Sequence, residues 1–167
     1  MALGKATVGN PGRTGAAGAE AGPELDTAMC QAEARNMTSV LDSLEAATSL
    51  VGHLGAPDLG RTLDQLVGAV SLALAAHTLR TERECYPDFE ERAGTRLVTA
   101  LLRWQHRHLA ARVERLSAEV LALQRHEPSY HQLADLRARL CGLGAELATH
   151  LEQEMLVARS TGTVAPP

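Results

Sequence analysis

LADLRARLCGLGAELATHLEQEMLV, Leu133 to Val157, places Leu at 133, 136, 140, 143 and 147, then His150, Glu154 and Val157. Steps of three and four trace one face of an α-helix, whereas a half-buried strand would alternate every second residue. The segment is therefore predicted to be a helix with a single inward stripe, and that stripe ends on an imidazole and a carboxylate. Pro128, Ser129 and Gln132 precede it as an S-x-x-Q capping box, which predicts a start at 129 and an end near Ala158.

Working outward, three more segments share this period. One runs from Gly22-Pro23 to about Leu50, with Cys30, Ala34, Met37, Leu41, Leu44 and Val51 in its stripe. Gly52, Gly55 and Pro57 close it. A second begins at Asp58, a good N-cap residue, and is expected to end at Tyr86 before Pro87. Its stripe is Leu59, Leu63, Leu66, Val70, Leu74, His77 and Thr81. The third follows Gly94, with Thr95 as cap, and runs to Gln124 through Leu102, His106, Leu109, Val113, Leu116, Val120 and Leu123. Four such helices joined by short turns predict an all-α fold, an antiparallel up-down-up-down four-helix bundle over residues 24–158. Gly68, Gly142 and Gly144 fall inside helices, where each costs roughly 1 kcal/mol against Ala, and close helix approach is the expected reason.

Composition narrows the classes of function. The chain has 167 residues, 45% hydrophobic and 2% aromatic, with net charge −4, enough apolar content for one core. That charge excludes a dominant non-specific nucleic-acid binder, and the scarcity of aromatics excludes a base-stacking surface. Cys30, Cys85 and Cys141 are odd in number and widely spaced, which suits a reducing, cytoplasmic setting rather than a disulfide framework. The longest apolar run, Val67 to Ala76, is too short to span a bilayer, so no membrane segment is expected. Residues 1–23 and 159–167, rich in Gly, Ala and Pro, are expected to be disordered or flexible tails.

Four polar residues interrupt the apolar stripes: His77, His106, His150 and Glu154. The midpoint between His77 and His106 falls at Glu91/Arg92, inside a proposed DFEERAG turn. That between His106 and His150 falls at Pro128. Residues equidistant from a turn share a level in antiparallel helices, so three imidazoles are expected in one layer, with Glu154 one turn from His150. Isolated core histidines, each hydrogen-bonded to a neighbour, are the plain alternative. Three at one level with an i, i+4 carboxylate favour a metal site, because a buried Glu is costly unless paired or metal-bound. His108 points elsewhere, and His53, His126 and His131 lie at turns.

The halves of the chain also repeat. A shift of 73 lays His77 on His150, Leu74 on Leu147 and Val70 on Leu143, while a shift of 72 lays Met37 on Leu109 and Leu41 on Val113. At the polar positions Ala34 opposes His106, and Thr81 opposes Glu154.

HTLRTERECYPDFEERAG from His77, WQHRHLAARVERL from Trp104 and LATHLEQEM from Leu147 together resemble the hemerythrin-like (HHE cation-binding) family, over about Glu24 to Ala158. The resemblance implies a di-iron bundle with a His on helix one, H-x-x-x-E on helix two, a His on helix three and H-x-x-x-E on helix four. Carried over by position, His77, His106, His150 and Glu154 are the implied ligands. Ala34 stands where the first His belongs, and Thr81 where the helix-two Glu belongs. Glu82 and Glu84 lie on other helical faces and would need local distortion to substitute. Four ligands suit a mononuclear or incomplete di-iron site. The implied function is binding or sensing of a small diatomic or peroxide ligand at iron, more in the manner of a binding protein than an enzyme, with no catalytic residues assigned. A metal-free bundle serving as a regulatory or protein-interaction module is the second reading. An anion-binding face on Arg103, Arg107, Arg112 and Arg115 is a third, set against Glu114 and Glu119 on the same helix, which favour an ordinary salt-bridged surface. Cys85 reads as a small core residue rather than a redox thiol.

Overall fold

The computed structural model describes residues 24–162, with side chains described continuously from 35 onward. Of the expected tails at 1–23 and 159–167, residues 1–23 and 163–167 lie outside the described residues, while Arg159 and Ser160 belong to the last helix. Five α-helical stretches follow one another: α1 (Glu24–Leu50), α2 (Ala56–Arg80), α3 (Tyr86–Ala93), α4 (Leu97–Leu123) and α5 (Tyr130–Ser160). A π-helical turn at Thr81–Cys85 joins α2 to α3 without a break. No strand occurs among the described residues. α1 packs against α2 and α5, and α4 packs against the same two, making a bundle around one long core.

The stripes form that core. Met37, Leu44, Leu63, Val70, Leu74, Leu109, Val113, Leu116, Val120, Leu136, Leu140, Leu143 and Leu147 are buried in one aliphatic cluster. Each buried Leu or Val contributes roughly 1.5–3 kcal/mol relative to exposure. A second, smaller cluster at the other end gathers Cys85, Tyr86, Phe89, Leu102 and Ala158. Trp104 and Leu101 of α4 are exposed, and His108 stacks on Trp104.

Several local expectations change. α2 starts at Ala56 behind Gly55, not at Asp58. Pro57 occupies the first turn, where its missing N–H costs nothing, and Asp58 serves that turn as an acidic residue instead. Pro87 does not end the helix. The π-helical turn has already broken the α register, with Tyr86 N–H bonding to Thr81 C=O, so Pro87 falls in the first turn of α3. DFEERA is accordingly helical, and the turn lies at 94–96, where Gly94 takes φ +66° and closes α3. α4 is capped at Arg96, with Thr95 Oγ1 accepting from Leu97 N–H. The Ser129/Gln132 capping box is present in both its hydrogen bonds. α5 runs two residues beyond Ala158.

The glycine expectation is corrected too. A methyl group at Gly68 or Gly144 would meet open space, and at Gly142 it would meet only the tip of Arg112. The close approach is at Gly60, where an added methyl group would lie only 2.8 Å from Gln124 Cγ, at the meeting of α2 with the end of α4. Within the continuous helix Ala56–Ala93, an 18-residue stretch with a mean hydropathy of 1.2 is long and apolar enough by composition to cross a bilayer. Its apolar face, from Leu59 to Leu74, is spent on the core described above.

Candidate metal centre

At the polar end of the core, α2, α4 and α5 each turn one imidazole inward. His77, His106 and His150 are at most 2% exposed, and the Glu154 side chain is 12% exposed. The layer inferred from spacing is met in space, although the turn used to count it sits three residues further along the chain. His77 Nε2 lies 3.4 Å from His150 Nε2 and 3.1 Å from Glu154 Oε2. Glu154 Oε1 lies 3.6 Å from the Nε2 atoms of both His106 and His150. One donor atom from each of the four residues falls within 4.8 Å of every other.

Hydrogen bonds behind the rings fix which nitrogen faces inward. His106 Nδ1–H donates to Glu82 Oε1 at 2.9 Å, and His150 Nδ1–H donates to Gln105 Oε1 at 3.1 Å. Carboxylate and amide oxygens only accept, so in the neutral rings both Nε2 lone pairs point into the cluster. Gln105 is itself held by Gln153, whose Oε1 accepts from Gln105 Nε2 at 2.6 Å. Arg103 bonds Glu82 at 3.1 Å and Glu90 at 2.9 Å, and its guanidinium lies 5.0 Å from the centre of the Tyr86 ring.

Sequence reasoning missed Tyr86 and Gln105 here, and named Glu82 only as a substitute ligand. Tyr86, fully buried, stacks on His106 and donates its hydroxyl to Glu154 Oε1. Glu82 reaches the back of His106 because the π-helical turn rotates it toward α4. The necessary distortion is therefore present, but Glu82 supports a histidine from behind instead of entering the cluster. The Tyr-Pro pair was the available signal, since a Pro that fails to stop a helix implies a register change just before it. Thr81 is buried where the repeat predicts a carboxylate, and its hydroxyl donates to His77 C=O at 2.9 Å. Ala34 lies on α1, and its side chain is outside the described residues. Cys85 is a buried core residue, as expected. His53, His126 and His131 are exposed.

Two of the four groups, His150 and Glu154, are shifted toward their unprotonated forms. Burial pushes His150 down to about 4, helped by the neighbouring His106 and His77 and opposed by Glu154. Burial would raise the Glu154 carboxyl, but once the rings are protonated, hydrogen bonds from His106 and His77 and the charge of His77 and His150 outweigh it and hold the acid well below the ordinary range. The Tyr86 phenol is driven far up, first by burial and then by the Glu154 charge, so it remains a hydrogen-bond donor.

The donor set fits a metal. Donors about 2.0–2.1 Å from a tetrahedral ion lie about 3.3–3.4 Å apart; four contacts here, drawn from both Glu154 oxygens, lie at 3.1–3.6 Å, and the full set of one donor per residue falls within 4.8 Å, close enough to hold an ion. Inward lone pairs beside a carboxylate need a cation or a proton between them. Beside the cluster lies a cavity of about 450 Å³ whose inner wall includes His77, Glu154 and Tyr86. Two of the four arginines of the Arg face are paired within the fold, Arg103 with Glu82 and Glu90, and Arg112 with Glu146. Comparison with protein families, curated sequences and solved structures gives no match.

Proposed function

We propose that the chain is a hemerythrin-like, up-down-up-down metal-binding bundle that holds iron through His77, His106, His150 and Glu154. At that ion it binds or senses a small diatomic or peroxide ligand. The observation that carries this reading is the convergence of imidazole nitrogens and one carboxylate at contacts of 3.1–3.6 Å. Neutral imidazoles with a single carboxylate suit iron, zinc or manganese. The resemblance in the HTLRTERECYP, WQHRH and THLEQE stretches selects iron among them. Short connections between helices that pack as neighbours support the antiparallel arrangement.

Iron with three nitrogens and one oxygen from the chain retains room for an exogenous ligand, which is the chemistry the ion supplies. The chain's own residues do the rest. Glu82 and Gln105 hold two rings in the ligating tautomer. Tyr86 offers a hydroxyl at the carboxylate, and the aliphatic core below the layer excludes water. The setting consistent with this reading is cytoplasmic, without nucleic acid or membrane as partner.

Elemental analysis after purification without chelators or affinity-tag metal tests the reading. About one divalent ion per chain is expected, because four ligands suit one first-row metal, and none should remain in His150→Leu. Two ions per chain would overturn the single-site assignment.

One observation favours a metal-free interaction module as the second reading. Glu154 accepts from Tyr86 and lies 3.1 Å from His77 Nε2, so the cluster has internal partners. In that case no metal is retained after reconstitution, and His150→Leu is neutral or stabilising instead of lowering the melting temperature of the loaded protein.

A further inference from the structure

The cavity beside the cluster is too large for the small ligand discussed above. Its 450 Å³ corresponds to about fifteen waters at 30 Å³ each, whereas a diatomic needs the room of about one. Volumes of roughly 300–1,000 Å³ with apolar walls and a few converging polar groups characterise sites for organic molecules. Cys85, Phe89, Leu151, Met155 and Ala158 supply the apolar wall, from α2–α3 on one side and α5 on the other. His77, Tyr86 and Glu154 supply the polar one. Among the described residues, the remaining charged lining residues, Arg80, Glu152 and Arg159, are all exposed.

We propose that this cavity binds a small neutral apolar molecule of the size of a medium-chain alcohol. Neutrality follows from the inner wall. An anion inside would face the Glu154 carboxylate in a partly desolvated space, and the exposed arginines act through solvent, where their attraction is screened. A cation would compete with the imidazole cluster for the same carboxylate. An apolar body instead covers Phe89, Met155 and Leu151, and polarizable sulfur at Cys85 and Met155 adapts to varied shapes. The site stands on the cavity alone and does not require metal to be bound.

Methionine-methyl NMR reads it directly. Met155 lines the cavity, while Met37 is fully buried in the aliphatic cluster and serves as internal control. Titration of the full chain with 1-octanol should shift the Met155 resonance saturably, with half-saturation at about 1 mM or below, and leave Met37 unmoved. Octanoate should bind at least about tenfold more weakly, from the like charge at Glu154. Ala158→Leu and, as a milder filling change, Leu151→Phe should each weaken octanol binding about tenfold without moving Met37, by occupying the space. No saturable shift, an unchanged affinity in Leu151→Phe, or octanoate binding as tightly as octanol would overturn the proposal. The same titration on zinc-loaded protein separates the two readings: a chain that takes octanol but no metal loses the metal reading and keeps this one.

Discussion

α2 and α5 carry the same pattern seventy-three residues apart and use it differently. In α5 the helix stays regular through His150 and Glu154, and the carboxylate lies beside its own histidine and those of two other helices. In α2 the equivalent of Glu154 is Thr81, whose hydroxyl turns back to its own helix, and the π-helical turn begins there. A carboxylate still follows, one residue later, but it rests against the outer nitrogen of His106. One half therefore donates its negative charge to the centre of the cluster, and the other donates it to the rear. The same side-chain type, displaced by one position, changes from a member of the cluster to an orienting support behind it, and one carboxylate instead of two faces the centre.

The strongest way to break this asymmetry is to restore the missing groups. Ala34→His with Thr81→Glu gives α1, α2, α4 and α5 one inward His each and completes an H-x-x-x-E pair from His77 to match that from His150. Overpacking should cost roughly 1–3 kcal/mol, which bound metal offsets by mass action. The variant should take up two irons per chain by elemental analysis, and each single change less than half the added iron. A folded double variant holding no more iron than wild type would sink the layer assignment.

Removing the single inner carboxylate comes next. Glu154→Gln should weaken zinc or iron binding by about a hundredfold or more in competition titrations, beyond the usual penalty for an outer partner. Retained affinity would mean that Glu154 is a partner of Tyr86 and nothing more.

Acid sharpens the contrast without mutation. In the metal-free protein His150 titrates at about 4, against about 6.5 when unfolded. The unfolded chain then binds more protons between those values, so stability falls as pH drops from 6.5 to 4, by roughly 3 kcal/mol. Glu154, held low in the fold, adds a loss of the same sign as pH falls below its unfolded value. Urea midpoints at pH 7 and pH 4 should show this fall, and His150→Gln should flatten its upper limb. Equal midpoints in the wild type would contradict the burial of a neutral imidazole.

The smallest effect belongs to the rear carboxylate. Glu82→Gln should lower metal affinity about ten- to a hundredfold, as loss of a charged partner behind a ligating His does, with the melting temperature of the metal-free chain little changed. Unchanged affinity would make the Glu82–His106 bond a surface ion pair.

The stripe leucines were legible from sequence because a steady 3.6-residue period survives any tertiary context that buries one face. The His layer was legible because it needs only helical phase and approximate level. Tyr86, Glu82 and Gln105 were not. The first two depend on a register change that hydrophobic periodicity averages over, and Gln105 reaches His150 from a neighbouring helix by the choice of one side-chain rotamer. Pro87 and Asp58 misled for a related reason. A residue type that ends or begins helices in general is equally at home one turn inside a start, and only the neighbouring hydrogen bonds decide between the two.

The π-helical turn makes the long helix a rod with two phases. Up to Thr81 its buried positions fall at 70, 74, 77 and 81, and an unbroken period would continue to 84, 85 and 88. The buried residues are instead Cys85, Tyr86 and Phe89, one place later, with Glu84 exposed. The turn thus behaves as a one-residue insertion that the rest of the fold has absorbed. Deleting a single exposed residue within it, Arg83 for instance, would relax the turn to an α-helix with both ends still in register, whereas the same deletion in the regular helix ahead of it would swing the chain's one phenylalanine and the tyrosine beside the cluster about 100° around the axis. The two ends of this bundle are coupled in length as well as in chemistry: its core can be edited by substitution, but its polar end is also set by counting.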